Sequence, residues 1–113
     1  MPNNRVISLN YANAAYEAGE LNLAVNLLQD FLIAQPNSFI AHDLLANVYD
    51  KQGNKPQFHS AKAEVYALLG AYPRAIDELQ MGYKNIDDEP LLQKRFKARI
   101  SQFQQKKEVL ERL

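Results

Sequence analysis

Apolar side chains recur at helical spacing along almost the whole chain, and no segment alternates apolar and polar residues long enough to indicate a strand. Leu21, Val25 and Leu28 illustrate the spacing, since they are three or four residues apart and fall on one face of a helix. Glycine, proline and asparagine interrupt the pattern at intervals of ordinary helix length. The pattern predicts six helices, over 5–18, 21–34, 38–52, 55–69, 72–85 and 89–111.

The predicted boundaries coincide with residues that turn the chain or start a helix. Gly19, Gly53 and Gly70 follow the first, third and fourth helices, where glycine allows the chain to turn back. Pro56 and Pro73 fall in the first turns of the fourth and fifth helices, where a missing backbone N–H costs nothing. The helices are therefore expected to run antiparallel to their neighbours.

Two pairs of residues repeat at an interval of 34, Ala12 with Ala46 and Gly19 with Gly53. A helix–turn–helix unit of this period is typical of the tetratricopeptide repeat. The motif His42-x-x-Leu45-Ala46-x-x-Tyr49 resembles the first helix of that repeat, with histidine in place of tryptophan and alanine in place of glycine. The segments 19–24 and 70–76 resemble its second helix.

The repeat changes in the middle of the chain, because Gly53 and Gly70 are only 17 residues apart, half a period. The helix over 55–69 is therefore expected to end one unit and begin the next, with apolar residues on two sides. The predicted fold is all-α: a right-handed α-solenoid of tetratricopeptide-type helical hairpins, about two and a half repeats over 1–88, with a capping helix of the same domain over 89–113. Small residues are expected where helices approach closely, at Ala24, Ala46 and Ala75.

Composition excludes several classes of function. The chain has 113 residues with 13 basic and 13 acidic side chains, and this balance argues against nucleic acid as a partner. The absence of cysteine excludes disulfides, thiol nucleophiles and cysteine-based zinc sites. The first residues show no basic or apolar leader segment, which predicts either a cytoplasmic protein or a piece of a larger one.

Charge is unevenly distributed along the chain. Residues 1–88 carry six basic and ten acidic side chains, whereas residues 89–113 carry seven basic and three acidic ones. In the last helix, Leu92, Phe96 and Ile100 form an apolar stripe with basic residues mostly elsewhere. A capping role that closes the solenoid is favoured over binding to an anionic membrane or to a protein helix, so membrane contact is not expected. The acidic run 87–89 is predicted to cap the N-terminus of this helix.

No group of side chains indicates catalysis or metal binding. His42 and His59 are the only histidines, are 17 residues apart, and neither precedes a glutamate as a His-Glu-x-x-His zinc motif requires. The adjacent carboxylates Asp77 and Glu78 do not face each other across a pocket as a glycosidase pair does. The chain is therefore predicted not to be an enzyme and to hold no cofactor. His42 lies where the repeat has an aromatic residue and is expected to pack or to be exposed to solvent, and not to bind a metal.

The concave face of the solenoid, formed by the first helix of each unit, is the predicted binding surface for a protein or peptide. Asn13 and Asn47 lie one period apart on it, and asparagine amides can pair with both N–H and C=O of an extended backbone. The alternative is that these are ordinary polar surface positions. Leu9 stands where a carboxylate clamp would need lysine, so that kind of site is not expected. The complete predicted groove consists of Leu9, Asn13, Tyr16, Glu17, Asp43, Asn47, Asp50 and Lys51.

A more specific resemblance extends from Ala61 to Gln102. This part of the chain resembles the C-terminal region of the beta-barrel assembly-enhancing proteases, a periplasmic family that joins an M48-type zinc metallopeptidase domain to a tetratricopeptide region. The stretch after the last repeat makes the resemblance more specific than a repeat alone. The matching residues are Ala61-x-Ala63-Glu64-x-Tyr66-Ala67-Leu68-x-Gly70, then Ala75-Ile76-x-x-Leu79, then Ala98-Arg99-Ile100-x-Gln102.

This resemblance implies a non-catalytic module that recruits substrates or the outer-membrane assembly machinery to a peptidase domain outside the chain. The zinc would belong to that domain, since the His-Glu-x-x-His motif is absent here. The implied location is the periplasm. The alternative is a stand-alone cytoplasmic adaptor with an unrelated partner.

Overall fold

The computed structural model describes the backbone of residues 4–113 and the side chains of residues 8–113. Within this range every regular element is an α-helix, and each begins and ends within one residue of the range that hydrophobic periodicity predicts. The helices are α1 (Asn4–Glu17), α2 (Leu21–Ala34), α3 (Phe39–Gln52), α4 (Lys55–Leu68), α5 (Tyr72–Lys84) and α6 (Pro90–Glu111).

Three of the turns between helices pass through glycine in the left-handed backbone conformation. Gly19, Gly53 and Gly70 have φ between 71° and 78°, a region in which a Cβ atom is strained. The starts of α3 and α4 are fixed by side-chain caps: Ser38 Oγ accepts from Ala41 N at 3.2 Å, and Asn54 Oδ1 accepts from Gln57 N at 3.4 Å. These features explain why the boundaries follow the sequence so closely.

The start of α6 differs from the prediction. Glu89 is the N-cap residue and its side chain makes no capping hydrogen bond, while Asp88 adopts a left-handed φ of 52° to turn the chain. The prediction that the acidic run 87–89 caps the N-terminus of α6 is therefore wrong, because the N-cap side chain makes no hydrogen bond to the helix. The reason is that glutamate is not among the short side chains that reach back to the first N–H groups, and Pro90 at the helix start lacks one of those groups.

The helices pack in chain order, each against the next, and α1 also contacts α3. The molecule measures 41 × 36 × 19 Å. This arrangement is an all-α, solenoid-like stack of helical hairpins and confirms the predicted fold class. Small residues lie at the close contacts as expected, since Ala24, Ala46 and Ala75 are at most 1% exposed.

Helix α4 separates two hydrophobic cores. Ala61 belongs to the first core, which α1 to α3 complete around Leu28 and Val48. Ala63 belongs to the second core, which α5 and α6 complete around Leu79 and Phe103. The prediction of a helix with two packed sides is therefore confirmed, because residues two positions apart on α4 face different neighbours.

His42 is buried and takes part in packing, which is the first of the two environments that the sequence left open. Its Nε2–H donates a hydrogen bond of 2.8 Å to the Pro36 carbonyl, which ties α3 to the turn after α2. A second link between these helices joins Gln29 to Tyr49, whose hydroxyl accepts from Gln29 Nε2 at 3.1 Å. Polar groups thus fix the α2–α3 hairpin beside the apolar core.

The buried Tyr49 hydroxyl predicts an alkaline loss of stability. Burial raises the pKa of Tyr49 above its ordinary value, an effect that the hydrogen bond from Gln29 partly opposes. Because the folded state retains this proton where the unfolded state loses it, the free energy of unfolding should decline once the pH exceeds about 10. A Tyr49→Phe variant is expected to decline less steeply in denaturant titrations across that range. If the free energy of unfolding declined equally steeply with pH in both proteins, Tyr49 would not be the group responsible.

Candidate functional site

A cleft of about 420 Å³ lies between α1 and α3. It is the surface that the 34-residue repeat predicts, because equivalent helices of successive units form it. Four of the eight predicted groove residues line it. The full lining is Leu9, Asn10, Asn13, Ile40, Asp43, Leu44 and Asn47.

The two repeat-related asparagines occupy equivalent places on the walls of this cleft. Asn13 lies on α1 and Asn47 on α3, and both side chains are exposed. Neither amide is engaged in a hydrogen bond with another side chain or backbone group in the described part of the chain. Each amide therefore offers a donor and an acceptor to a bound backbone.

Two of the predicted residues contact each other at one end of the cleft. The Lys51 ammonium lies 4.6 Å from the centre of the Tyr16 ring, a cation–π contact that links α3 to α1. Glu17 and Asp50 are exposed and lie one helical turn beyond Asn13 and Asn47 on the same faces. These four residues border the cleft and do not line it.

Three lining residues were not predicted: Asn10, Ile40 and Leu44. Ile40 is 65% exposed although it is a large aliphatic residue. The helical spacing from Ile40 through Leu44 to Asn47 is a signal that could have identified it. Leu44 is half-buried and lies between the core and the cleft.

A second and larger groove, of about 820 Å³, lies between the end of α4 and the C-terminal half of α6. It forms because α6 has 22 residues and α5 only 13, so that α6 continues past the start of α5. Tyr72, at the start of α5, already contacts Phe103, with ring centres 5.8 Å apart. Beyond that point Val109 and Leu110 are about half exposed.

Arg99 is the residue that attaches α6 to α4 beside this groove. Its Nε and Nη2 donate to the two carboxylate oxygens of Glu64 at 2.8 and 2.7 Å, and Nη1 donates to Gln102 at 2.7 Å. The guanidinium also lies 4.4 Å from the centre of the Phe103 ring. The hydrogen bonds that Arg99 donates to the Glu64 carboxylate raise the pKa of Arg99 further above its high ordinary value. Arg99 belongs to the stretch that made the resemblance specific.

Replacing Arg99 with lysine is expected to lower the free energy of unfolding by about 1 kcal/mol, because lysine cannot form the paired hydrogen bonds and the site is partly exposed. The measurement is a double-mutant cycle with Glu64→Gln in denaturant titrations. The Arg99→Lys loss should shrink when Glu64 is already neutral. Additive losses would mean that the pair does not couple α4 and α6.

The basic residues of α6 lie outside its apolar stripe, as predicted for a capping helix. Phe96 and Phe103 are buried, whereas Lys94 and Arg95 are exposed. Lys97 lies 5.4 Å from the centre of the Tyr83 ring. No helix in the described range is both long enough and apolar enough to span a bilayer.

The described residues contain no cluster of three or more histidine, aspartate and glutamate side chains arranged to hold a metal ion. His59 lies instead beside a single carboxylate, with 3.4 Å between its Nδ1 and Glu78 Oε2. His59 is half-buried and Glu78 is buried, and the pair joins α4 to α5. It therefore contributes to helix packing.

The chain is similar to beta-barrel assembly-enhancing proteases of several bacteria, which confirms the resemblance. It is 34% identical to the protein of Escherichia coli (strain K12) over 105 residues, 93% of this chain and 22% of that relative. It is 36% identical to the Yersinia pestis protein over 97 residues, 86% of this chain and 20% of that relative. A Vibrio cholerae protein, described as a putative beta-barrel assembly-enhancing protease, is 29% identical over 103 residues, 91% of this chain and 21% of that relative.

The chain thus spans about a fifth of the length of the curated relatives that it matches. No family model matches it. The similarity extends over nearly the whole chain.

Proposed function

We propose that this chain is a tetratricopeptide-type module that binds protein segments, and that it serves as the non-catalytic C-terminal region of a periplasmic M48-type metallopeptidase. The similarity supports this proposal, because it covers 93% of the chain but only 22% of a protease. The chain has no His-Glu-x-x-His motif, so the peptidase chemistry belongs to another part of the larger protein.

The observation that carries the proposal is the cleft between α1 and α3. Asn13 and Asn47 lie on facing helices, one repeat apart, with amides that have no protein partner in the described range. An extended segment placed along the cleft could pair its backbone with both amides, and its side chains could reach Leu9 and Leu44. The helices fix the backbone positions of both asparagines before any ligand arrives, so that only their side chains have to be ordered on binding.

The name of the relatives suggests what is bound. A protease that enhances beta-barrel assembly must meet beta-barrel proteins or the machinery that assembles them. The module recruits such a substrate or the outer-membrane assembly machinery to the peptidase domain. An unfolded barrel strand is an extended segment with free backbone groups, which is the kind of ligand that the two asparagines can hold.

The direct test measures binding of an unfolded outer-membrane β-barrel protein to the immobilised chain by surface plasmon resonance. The double variant Asn13→Ala/Asn47→Ala is expected to bind roughly 10- to 30-fold more weakly, because each of the two asparagines loses hydrogen bonding worth about 1 kcal/mol. The matched control is Asn26→Ala/Gln104→Ala, which removes two exposed amides outside the cleft. Unchanged binding by the cleft variant, with the wild type binding well, would contradict the proposal.

The proposal also predicts the metal content of the isolated chain. Zinc belongs to the peptidase domain of the larger protein, so this chain should hold no stoichiometric zinc and cleave no peptide. Elemental analysis after dialysis against zinc, with a peptidase assay on the same sample, measures both. One tightly held zinc ion per chain would contradict the assignment.

A further inference from the structure

The cleft between α1 and α3 combines an apolar end with carboxylates. Leu9, Ile40 and Leu44 line the end where Asp43 also lies. Asp43 is half-buried and is the charged member among the described lining residues, which include no basic one. A ligand seated there meets a negative charge next to aliphatic surface.

The borders of the cleft add to this negative charge. Glu17 continues the α1 face beyond Asn13, and Asp50 continues the α3 face beyond Asn47. Lys51, the basic residue next to Asp50, has its ammonium group over the Tyr16 ring, 4.6 Å from the ring centre. In the described part of the molecule, the lining and borders of the cleft therefore carry three carboxylates and one ammonium group.

This charge is local, because the chain as a whole has equal numbers of acidic and basic side chains. The basic excess lies in residues 89–113, at the opposite end of the stack from α1. Exposed charges farther apart than about 10 Å are largely screened at moderate salt, so the basic helix does not neutralise the cleft.

We infer that the cleft selects extended protein segments that carry lysine or arginine next to an aliphatic residue. This inference rests on the proposed function and adds the chemistry of the ligand. The aliphatic side chain fits between Leu9, Ile40 and Leu44, and Asn13 and Asn47 hold the backbone. Neighbouring basic side chains then reach Asp43 on one side and Asp50 or Glu17 on the other. An acidic segment would place like charges together and is disfavoured.

The experiment uses three labelled peptides of equal length and aliphatic content that differ only in having lysine, glutamate or serine at the polar positions. Fluorescence anisotropy gives the dissociation constant of each for the full chain. The lysine peptide should bind most tightly and the glutamate peptide most weakly. Raising the salt concentration should weaken the binding of the lysine peptide and leave the binding of the serine peptide almost unchanged.

Asp43→Asn is the decisive variant, since it removes the charge and keeps the shape. Affinity for the lysine peptide should fall roughly three- to fivefold, the range expected for one partly exposed ion pair, and the preference for the lysine peptide over the serine peptide should shrink accordingly. The matched control is Asp77→Asn, which removes an exposed carboxylate on α5 outside the cleft and should change the affinity for neither peptide. Circular dichroism and denaturant midpoints establish that all variants are folded.

The outcomes separate this inference from the proposed function. Equal binding of all three peptides, abolished by Asn13→Ala/Asn47→Ala, would overturn the charge selection and keep the cleft as a binding site. An Asp43→Asn protein that still prefers the lysine peptide as strongly as the wild type would also overturn it. Failure of all three peptides to bind would overturn both.

Discussion

Replacing Gly82 with alanine is expected to destabilise the fold by about 2 kcal/mol, although the same change in an open helix would stabilise it by roughly 0.5–1 kcal/mol. Gly82 lies inside α5 at the point where α4 and α6 approach it. An added Cβ would lie 2.7 Å from Cε2 of Phe96, 2.9 Å from Cβ of His59 and 3.1 Å from the Pro56 carbonyl oxygen. Two of these three atoms belong to the α4 backbone or adjoin it, so small side-chain movements cannot relieve the overlap.

Denaturant titration of Gly82→Ala measures the loss directly, and Phe96→Leu provides the internal control. Phe96→Leu alone should be destabilising, because this ring is buried. The double variant should lose less than the sum of the two single losses, since the closest clashing atom has been removed. A stabilised Gly82→Ala protein would show that α5 does not approach α4 and α6 this closely.

The role of Gly82 illustrates what sequence reasoning could not reach. A glycine within the range 72–85 carries no periodic signal, because its importance depends on three helices meeting at one point. The distances to Phe96, His59 and Pro56 are set by the positions of α4 and α6, which short-range spacing does not specify. The α4–α6 groove escaped prediction for the same reason, since it exists only because α6 continues past α5.

Helix boundaries, by contrast, follow from local chemistry. Gly53 can adopt the left-handed backbone that ends α3, and Asn54 caps α4 with its own side chain. Pro56 then fits the first turn. Each of these preferences acts within a few residues, so the sequence predicts them directly. The two-sided packing of α4 was also predictable, because a shortened repeat leaves one helix to serve two hairpins.

The cleft is an intermediate case. The 34-residue period identified Asn13 and Asn47, since equivalent helices present equivalent faces. It did not distinguish the residues that line the cleft from those that border it. Lys51 was predicted as a ligand-binding residue, and the structure places its ammonium over the Tyr16 ring. That contact depends on the separation of α1 and α3, which the repeat interval alone does not give. The functional assignment of all eight residues remains a prediction.

Replacing Ala46 with leucine is expected to lower the free energy of unfolding by about 1–3 kcal/mol, a large share of the stability of a small domain. Ala46 is 1% exposed and belongs to the same core as Leu28 and Tyr49. Interiors of this kind are close-packed, so the added methylene groups must displace neighbouring helices. Chemical denaturation of the two proteins measures the difference, and an unchanged denaturant slope would indicate that the unfolding remains cooperative.

The adjacent residue supplies the control that connects packing to binding. Asn47→Leu introduces a similar side chain one position later, on the exposed cleft face, and should leave the denaturant midpoint nearly unchanged. It should instead weaken binding of an unfolded β-barrel protein, because the amide that holds the backbone is lost. Ala46→Leu with a wild-type midpoint would mean that the 34-residue register is wrong. The cleft assignments on α1 and α3 depend on that register, so they would then fail together with it.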